Sequence, residues 1–314
     1  MRIFERKEIE EKLTYPACTE LMKKAFADLE EGRDTQIVRT GMGVQKGAIC
    51  FMPACLGGNG SFGAKIISVY PNNAKDGYPS HQGYVMLFEA EHGSPVAMAD
   101  ADTITEIRTA CASAAATNLL ARKGSSKLAI IGSGTQARSH FAAMLAVRKI
   151  EEVVIQSHTR ANADRFAAEM KVKYPDVKIS VVDTVEEAVR EADIICSVSR
   201  TRDPIISGEW IRPGTHINAV GTCSPVSREV DSGLVAKSRL YVDQVEACKA
   251  ESGEFLIPLK EGRITENHII GSIGSLVLGK CEGRTSDADI TLFDSLGLAV
   301  EDVICADYLY HLDK

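Results

Sequence analysis

No apolar run in this chain approaches the roughly 20 residues that a membrane-spanning helix needs. There is no basic cluster either, and 36 Lys plus Arg against 43 Asp plus Glu leave a net charge of −7, which argues against a nucleic-acid partner. The nine cysteines (18, 50, 55, 111, 196, 223, 248, 281 and 305) include no C-x-x-C pair, and their number is odd. Reduced thiols, mostly small core residues, fit that pattern better than a disulfide framework or a zinc site. The first residues, MRIFERKEIEEKL, carry charge where a secretory signal needs an apolar centre. These absences lead to the expectation of a cytoplasmic protein with a small-molecule partner, no membrane and no nucleic acid. The composition that remains, 45% hydrophobic and 25% charged over 314 residues, is that of an ordinary globular chain long enough for two domains with their own cores.

The most informative stretch is KLAIIGSGTQARSHFAAML, from Lys127 to Leu145. Leu128, Ala129, Ile130 and Ile131 form a short apolar run that ends in Gly132, Ser133 and Gly134, and helical spacing follows through Ala137, Phe141, Met144 and Leu145. A strand, a tight turn and a helix are therefore expected. Glycine lets the backbone turn sharply and approach a pyrophosphate, and the N–H groups at the helix start meet its charge. Gly132, Ser133, Gly134, Thr135, Gln136 and Ala137 match G-x-G-x-x-G/A, with Ala137 as the third small residue. An ordinary strand-to-helix turn reads the same way, but Val153 to Ile155 and then VREADIICSVSR (189 to 200) supply the next strands on schedule.

Ahead of this stretch, Ala17, Leu21, Met22, Ala25, Phe26 and Leu29 mark one amphipathic helix within residues 3 to 31. From 36 to 99 the period becomes two, in strands expected at Gln36 to Thr40, Ala48 to Pro53, Ser61 to Tyr70, Gln82 to Glu89 and Pro95 to Ala99, with a hairpin turn at Glu91, His92 and Gly93. Two cations here are out of place. Lys65 alternates onto the face of Ile67 and Val69, so it either snorkels at the sheet edge or sits in a pocket for a reason. Arg39, beside Ile37, is either an exposed edge charge or a site residue. Thr103 and Glu106 are spaced as a capping box for the helix IRTACASAAATNLLARKG, closed by Gly124. Arg108 is the one long charged side chain in its small-residue first part. It suits either a structural salt bridge or a bidentate clamp on a carboxylate.

Beyond the turn, the second strand ends in Gln156, Ser157, His158, Thr159 and Arg160, with no acid for a ribose 2′-hydroxyl. Ser157, Thr159 and Arg160 would instead suit a 2′-phosphate, so NADP(H) is expected over NAD(H), unless Arg160 only caps a solvated loop. Further strands are expected at Lys178 to Val182, Ile194 to Val198, THINAVGT and Arg239 to Asp243, in strand–helix alternation. TLFDSLGLAVEDVICADYLY reads as a loop and a long helix. The fold class expected is α/β, a Rossmann-type doubly wound parallel sheet plus a second α+β domain built from both chain ends. The boundaries expected are 1–117, 118–292 and a C-terminal helix at 293–314 that returns to the first domain.

Arg39, the Lys65 strand, Arg108-Thr109-Ala110, Gly132 to Ala137, HINAVG and TLFDSLGLAVEDV together make the chain resemble the ornithine cyclodeaminase and mu-crystallin family over nearly its whole length. The resemblance implies a Rossmann domain for the cofactor, a substrate and dimerisation domain, an active site between them and a homodimer. It also implies hydride transfer at a carbon bearing nitrogen and a carboxylate. In that chemistry Arg39 and Arg108 would hold the carboxylate, and Lys65, its pKa lowered by those cations, would exchange a proton with the imine nitrogen. Val198, Gly221, Ser295 and Gly297 would complete the cofactor set, while Met52, Cys55 and Ser295 line a pocket compatible with several substrates.

One departure stands out. Where cyclodeaminases of the family carry aspartate in G-x-D-x-P, this chain reads Gly221-Thr222-Cys223-Ser224-Pro225. Cys223 supplies no permanent negative charge for an ammonium substrate at neutral pH. Reduction of a cyclic ketimine carboxylate therefore ranks first. Ornithine cyclodeaminase or an alanine-dehydrogenase-like enzyme is the alternative, and a mu-crystallin-like ligand-binding protein a further one.

Overall fold

Period-two alternation between residues 40 and 100 builds one sheet, and the short apolar runs after residue 127 build another. The computed structural model describes residues 1–58 and 60–312; residues 59, 313 and 314 lie outside it, the last two within the segment expected at 293–314. The chain forms two compact units, Met1–Arg108 with Gly297–Lys314, and Thr109–Leu296.

In the first unit the strands are β1 (Arg2–Phe4), β2 (Thr35–Gln36), β3 (Thr40–Val44), β4 (Gly47–Cys55), β5 (Phe62–Val69), β6 (His81–Phe88) and β7 (Pro95–Asp100). Their order is β1-β7-β6-β5-β4-β2, with β3 paired to β4. All neighbours are antiparallel except β1, which lies parallel to β7. The amphipathic helix expected within residues 3 to 31, marked by Ala17 to Leu29, is α2 (Tyr15–Glu30), and β1 and a short helix, α1 (Arg6–Lys12), precede it. The break comes at Thr14, whose hydroxyl caps α2 while Pro16 sits in its first turn, where a missing N–H costs nothing. The Glu91 to Gly93 turn joins β6 to β7, with Gly93 at φ +69° and the Glu89 carboxylate accepting from the N–H groups of Glu91, His92 and Ser94.

The helix α3 (Ala101–Leu120) starts two residues before the expected capping box. Asp100 Oδ1 accepts from the Thr103 N–H at 2.8 Å and caps it, whereas Glu106 pairs with Arg6. One face of the sheet is buried by the last helix of the chain, Ala299–Leu312, which packs across β2 and β4 to β7 and against α2. The opposite face leaves Met42, Ile49, Phe51, Phe62 and Tyr84 exposed.

The second unit is an eight-stranded, wholly parallel sheet: β8 (Lys127–Ile131), β9 (Glu152–Gln156), β10 (Lys178–Val181), β11 (Ile194–Ser197), β12 (His216–Ala219), β13 (Arg239–Val242), β14 (Ile269–Ser272) and β15 (Thr291–Asp294). The order is β10-β9-β8-β11-β12-β15-β13-β14. The helices are α4 (Thr135–Val147), α5 (Arg160–Lys173), α6 (Val185–Val189), α7 (Ser232–Lys237), α8 (Val245–Glu251), α9 (Gly253–Lys260) and α10 (Ile273–Val277), so the chain's last helix is α11. The order in which the chain adds strands reverses between β8 and β11, the switch point at which sheets of this class bind ligands. TLFD, expected as loop, is β15 and fills the place between β12 and β13. Its four residues are all buried, so tertiary pairing outweighs the weak local signal of so short a run.

Candidate functional site

In the first unit, β5 carries Lys65 on the face that α11 covers, between Met52 of β4 and Val85 of β6. Only 2% of the side chain is exposed. A buried ammonium needs a counter-charge, and α11 brings it: Lys65 Nζ lies 2.7 Å from Asp302 Oδ2 and donates to Thr105 Oγ1 at 3.3 Å. Asp302 Oδ1 accepts from Arg108 Nε at 3.0 Å, and Glu301 Oε2 from Arg108 Nη1 at 2.8 Å. Glu301 Oε1 turns back to accept from the Leu298 N–H at 2.7 Å, fastening the start of α11 where acidic side chains are also favoured by the helix dipole. Arg108, 4% exposed, is thus held by two fully buried carboxylates.

Gly297, at φ +81°, makes this approach feasible, since a Cβ there would come within 2.7 Å of Arg108 Nη1. Its carbonyl accepts from Arg39 Nη2 at 3.1 Å. Gly297, expected on the cofactor side, therefore lies against Arg108 and Arg39. Arg39 itself sits in the connection between β2 and β3 rather than on a strand. Lys65, Arg39 and Arg108 are brought together.

Burial, above all, lowers the Lys65 pKa to about 8; Asp302 opposes this, and Arg108 and Arg39 add to it. The expectation that neighbouring cations cause the shift is thus corrected: desolvation leads. For Arg108 burial again disfavours the charge, but Asp302 and Glu301 outweigh it and raise the guanidinium pKa. Glu301 and Asp302 escaped the sequence reading. Their one signal was an acidic doublet in the first turn of an otherwise apolar helix.

In the second unit, the other expected residues line the carboxyl ends of the parallel strands. Gly132 leaves β8 at φ +130°, a conformation only glycine takes readily, and a Cβ there would press on the Val198 carbonyl at 3.0 Å. Val198 continues β11, its N–H donating to Ile131 O. Gly134 is the N-cap of α4, no described side chain caps that end, and a Cβ at Gly134 would meet nothing within 4 Å. Thr135, Gln136 and the buried Ala137 form the first turn. This is a cradle that fits a dinucleotide pyrophosphate.

Ser133 Oγ and Ser157 Oγ are 2.8 Å apart. Thr159 is the N-cap of α5, and Arg160 pairs with Asp164 and Asp183 at 3.0 and 2.5 Å on the surface. Gly221 follows β12, and a Cβ there would lie 1.9 Å from Ser199 O. Ser295 follows β15 with its hydroxyl buried and without a partner among the described residues. Cys223 is an exposed thiol in the loop after β12; Met52 is buried and Cys55 exposed.

Glu229, also missed, organises this edge. Its Oε1 accepts from Ser197 Oγ, Ser199 N and Ser199 Oγ, and its Oε2 from the N–H groups of Val220 and Gly221, at 2.6 to 3.0 Å. The ends of β11 and β12 are thus tied to one buried carboxylate.

A sequence model described as the ornithine cyclodeaminase/mu-crystallin family matches residues 2–313. Ketimine reductase mu-crystallin of Mus musculus is 37% identical over 294 residues, covering 92% of this chain and 90% of the mouse protein. The solved structure of Thermococcus litoralis Δ1-pyrroline-2-carboxylate reductase in complex with NADH and L-proline superimposes with a TM-score of 0.95 at 38% identity, covering 99% of this chain and 97% of the other. An archaeal alanine dehydrogenase dimer with bound NAD gives 0.93 at 32% identity, covering 99% and 95%. The chain belongs to the ornithine cyclodeaminase/mu-crystallin family.

Proposed function

We propose that this chain is an NAD(P)H-dependent oxidoreductase that reduces the C=N bond of a cyclic ketimine carboxylate, of the pyrroline-2-carboxylate or piperideine-2-carboxylate type, to the cyclic amino acid. The observation that carries this reading is Lys65: a buried ammonium, 2.7 Å from Asp302, whose pKa of about 8 suits it to give up a proton near neutral pH. The ketimine reductase and pyrroline-2-carboxylate reductase relatives support it.

The unit made from both chain ends is the substrate and dimerisation part, and residues 109–296 hold the cofactor. Arg108 and Arg39 bind the substrate carboxylate; because Glu301 and Asp302 already fix Arg108, little order is lost on binding. Lys65 protonates the imine nitrogen. A reduced nicotinamide bound in the second unit would supply the hydride to the carbon of the same bond. One hydride and one proton turn C=N into CH–NH, and Lys65 recovers its proton from solvent. Gly132 to Ala137 would hold the pyrophosphate, and Val198, Gly221 and Ser295 would hold the nicotinamide end. Gly297 belongs with the substrate group, as the backing of Arg108. Cys223, standing where the family's deaminating members have aspartate, favours imine reduction over ornithine deamination.

NADP(H) is preferred over NAD(H), since Ser157, Thr159 and Arg160 offer hydroxyls and a cation where a ribose carboxylate partner would stand, and the present partners of Arg160 are exposed acids that exchange readily for a phosphate. The exposed apolar sheet face with Met42, Ile49, Phe51, Phe62 and Tyr84 is the homodimer interface. Nine thiols suit a reducing, cytoplasmic location. The test is a set of parallel time courses: pyrroline-2-carboxylate with NADPH and with NADH, and ornithine with each oxidised cofactor. Rapid consumption of NADPH, slower use of NADH and no proline or ammonia from ornithine is the expected result; ornithine turnover without imine reduction would overturn it.

A further inference from the structure

We propose that Asp302 is a positioning residue for this reaction: its carboxylate, shared between the Lys65 ammonium and Arg108 Nε, holds the lysine in place and in its protonated form. The inference rests on the reading of Lys65 as proton donor and goes beyond it, because it names what keeps the donor loaded.

The geometry is specific. Asp302 is fully buried, and its two oxygens face two different cations, Oδ2 toward Lys65 Nζ at 2.7 Å and Oδ1 toward Arg108 Nε at 3.0 Å. The other groups around Lys65 do not share this task. Met52 and Val85, its neighbours in register on β4 and β6, are apolar. Thr105 of α3 offers a neutral hydroxyl at 3.3 Å. Arg108 of α3 and Arg39 of the β2–β3 connection are cations that push the lysine toward losing its proton, as burial does. Glu301 of α11 is engaged with Arg108 and the Leu298 N–H. Among the described residues Asp302 is therefore the one carboxylate in contact with the ammonium, and the lysine stays charged in a buried site to the extent that Asp302 offsets desolvation and the two guanidinium groups.

The sign of the consequence follows. A proton donor works below its pKa, so activity falls as pH rises past that of Lys65. Removing the negative charge at 302 lowers the lysine pKa further and moves this alkaline limb to lower pH. The experiment compares pH–rate profiles of the full-length wild type and Asp302→Asn, with pyrroline-2-carboxylate and NADPH; the position of the limb, not the plateau rate, is the readout. The expected result is an acidward move of about one pH unit or more, the size of effect one close charge partner has on a buried lysine. Asp302→Glu, which keeps the charge, should restore the limb toward its wild-type position even at a lower plateau.

A limb that does not move in Asp302→Asn, or a loss of rate by the same factor at every pH, would overturn the proposal. If Asp302→Asn shows no cooperative melting transition, Glu301→Gln carries the test: Arg108 loses one of its two counter-charges and bears harder on Lys65, so the limb moves in the same direction by less, and an unmoved limb there also overturns it. Failure of the underlying reading looks different. If Lys65→Ala keeps near-normal turnover, the lysine is not the donor; if Lys65→Ala is inactive but the limb stays put in Asp302→Asn, only the role of Asp302 falls.

Discussion

Each unit buries a group of ionisable side chains, and the two groups solve the cost of burial in opposite ways. In the first unit Lys65 and Arg108 are interleaved with Asp302 and Glu301, so each charge of this group touches one of the other sign. In the second unit Glu229, Glu254 and Asp294 are all acids and all nearly fully buried. No described cation pairs with Glu229, Glu254 or Asp294. Backbone and hydroxyl donors serve them instead: five bonds to Glu229, the Glu229 N–H to Glu254 Oε1, and Ser252 Oγ to Asp294 Oδ2. Burial raises all three pKa values, Asp294 to about 6 and Glu254 well above the usual carboxylate range. The first group is held by opposite charge, and the second by neutral donors against the cost of burial.

Charge removal should therefore be costly in the first group and cheap in the second. Arg108→Leu leaves Glu301 and Asp302 buried against an apolar side chain and should cost about 3–5 kcal/mol in a denaturant titration. A loss below about 1 kcal/mol would mean that opposite charge is not what holds this group.

Asp294→Asn should have a smaller, pH-dependent effect. With its pKa raised from 3.8 to about 6 in the fold, Asp294 contributes stability that is fully present below its unfolded value and is lost as pH rises through about 6. The asparagine variant lacks that loss, so wild type should fall relative to it by about 1–3 kcal/mol between pH 4 and 7. Melts of both proteins across that range check this, and parallel curves would contradict it. Glu254→Gln should change least, within about 0.5 kcal/mol at pH 7, since burial raises the Glu254 pKa and disfavours the charge that the variant lacks, and Oε1 can still accept from the Glu229 N–H. A loss of several kcal/mol would show that Glu254 is ionised in the fold.

The same contrast explains what the sequence disclosed. The dinucleotide turn was legible because its requirements are local: Gly132 at positive φ, Gly134 at a helix start and Ala137 against the strand all fall within six residues. Lys65 was legible as an anomaly, a cation on an apolar face. Its partner was not, because nothing near residue 302 says which strand α11 will cover. Glu229 was hidden for the same reason, since its five donors come from residues 197–199 and 220–221. β15 was missed because four residues without a turn signal carry too little pattern, and pairing on both sides decides their state. The helix start at Asp100 was displaced because its carboxylate captured the Thr103 N–H before the capping box could form.

The most direct test of the account is Lys65→Ala, followed in two readouts on the same protein: turnover of pyrroline-2-carboxylate, and NADPH binding by fluorescence titration. Loss of the proton donor should lower turnover by about 10²- to 10⁴-fold while NADPH binding stays within about twofold. Near-normal turnover would remove Lys65 from the chemistry and, with it, the central claim that the buried charge group of the first unit performs the proton transfer.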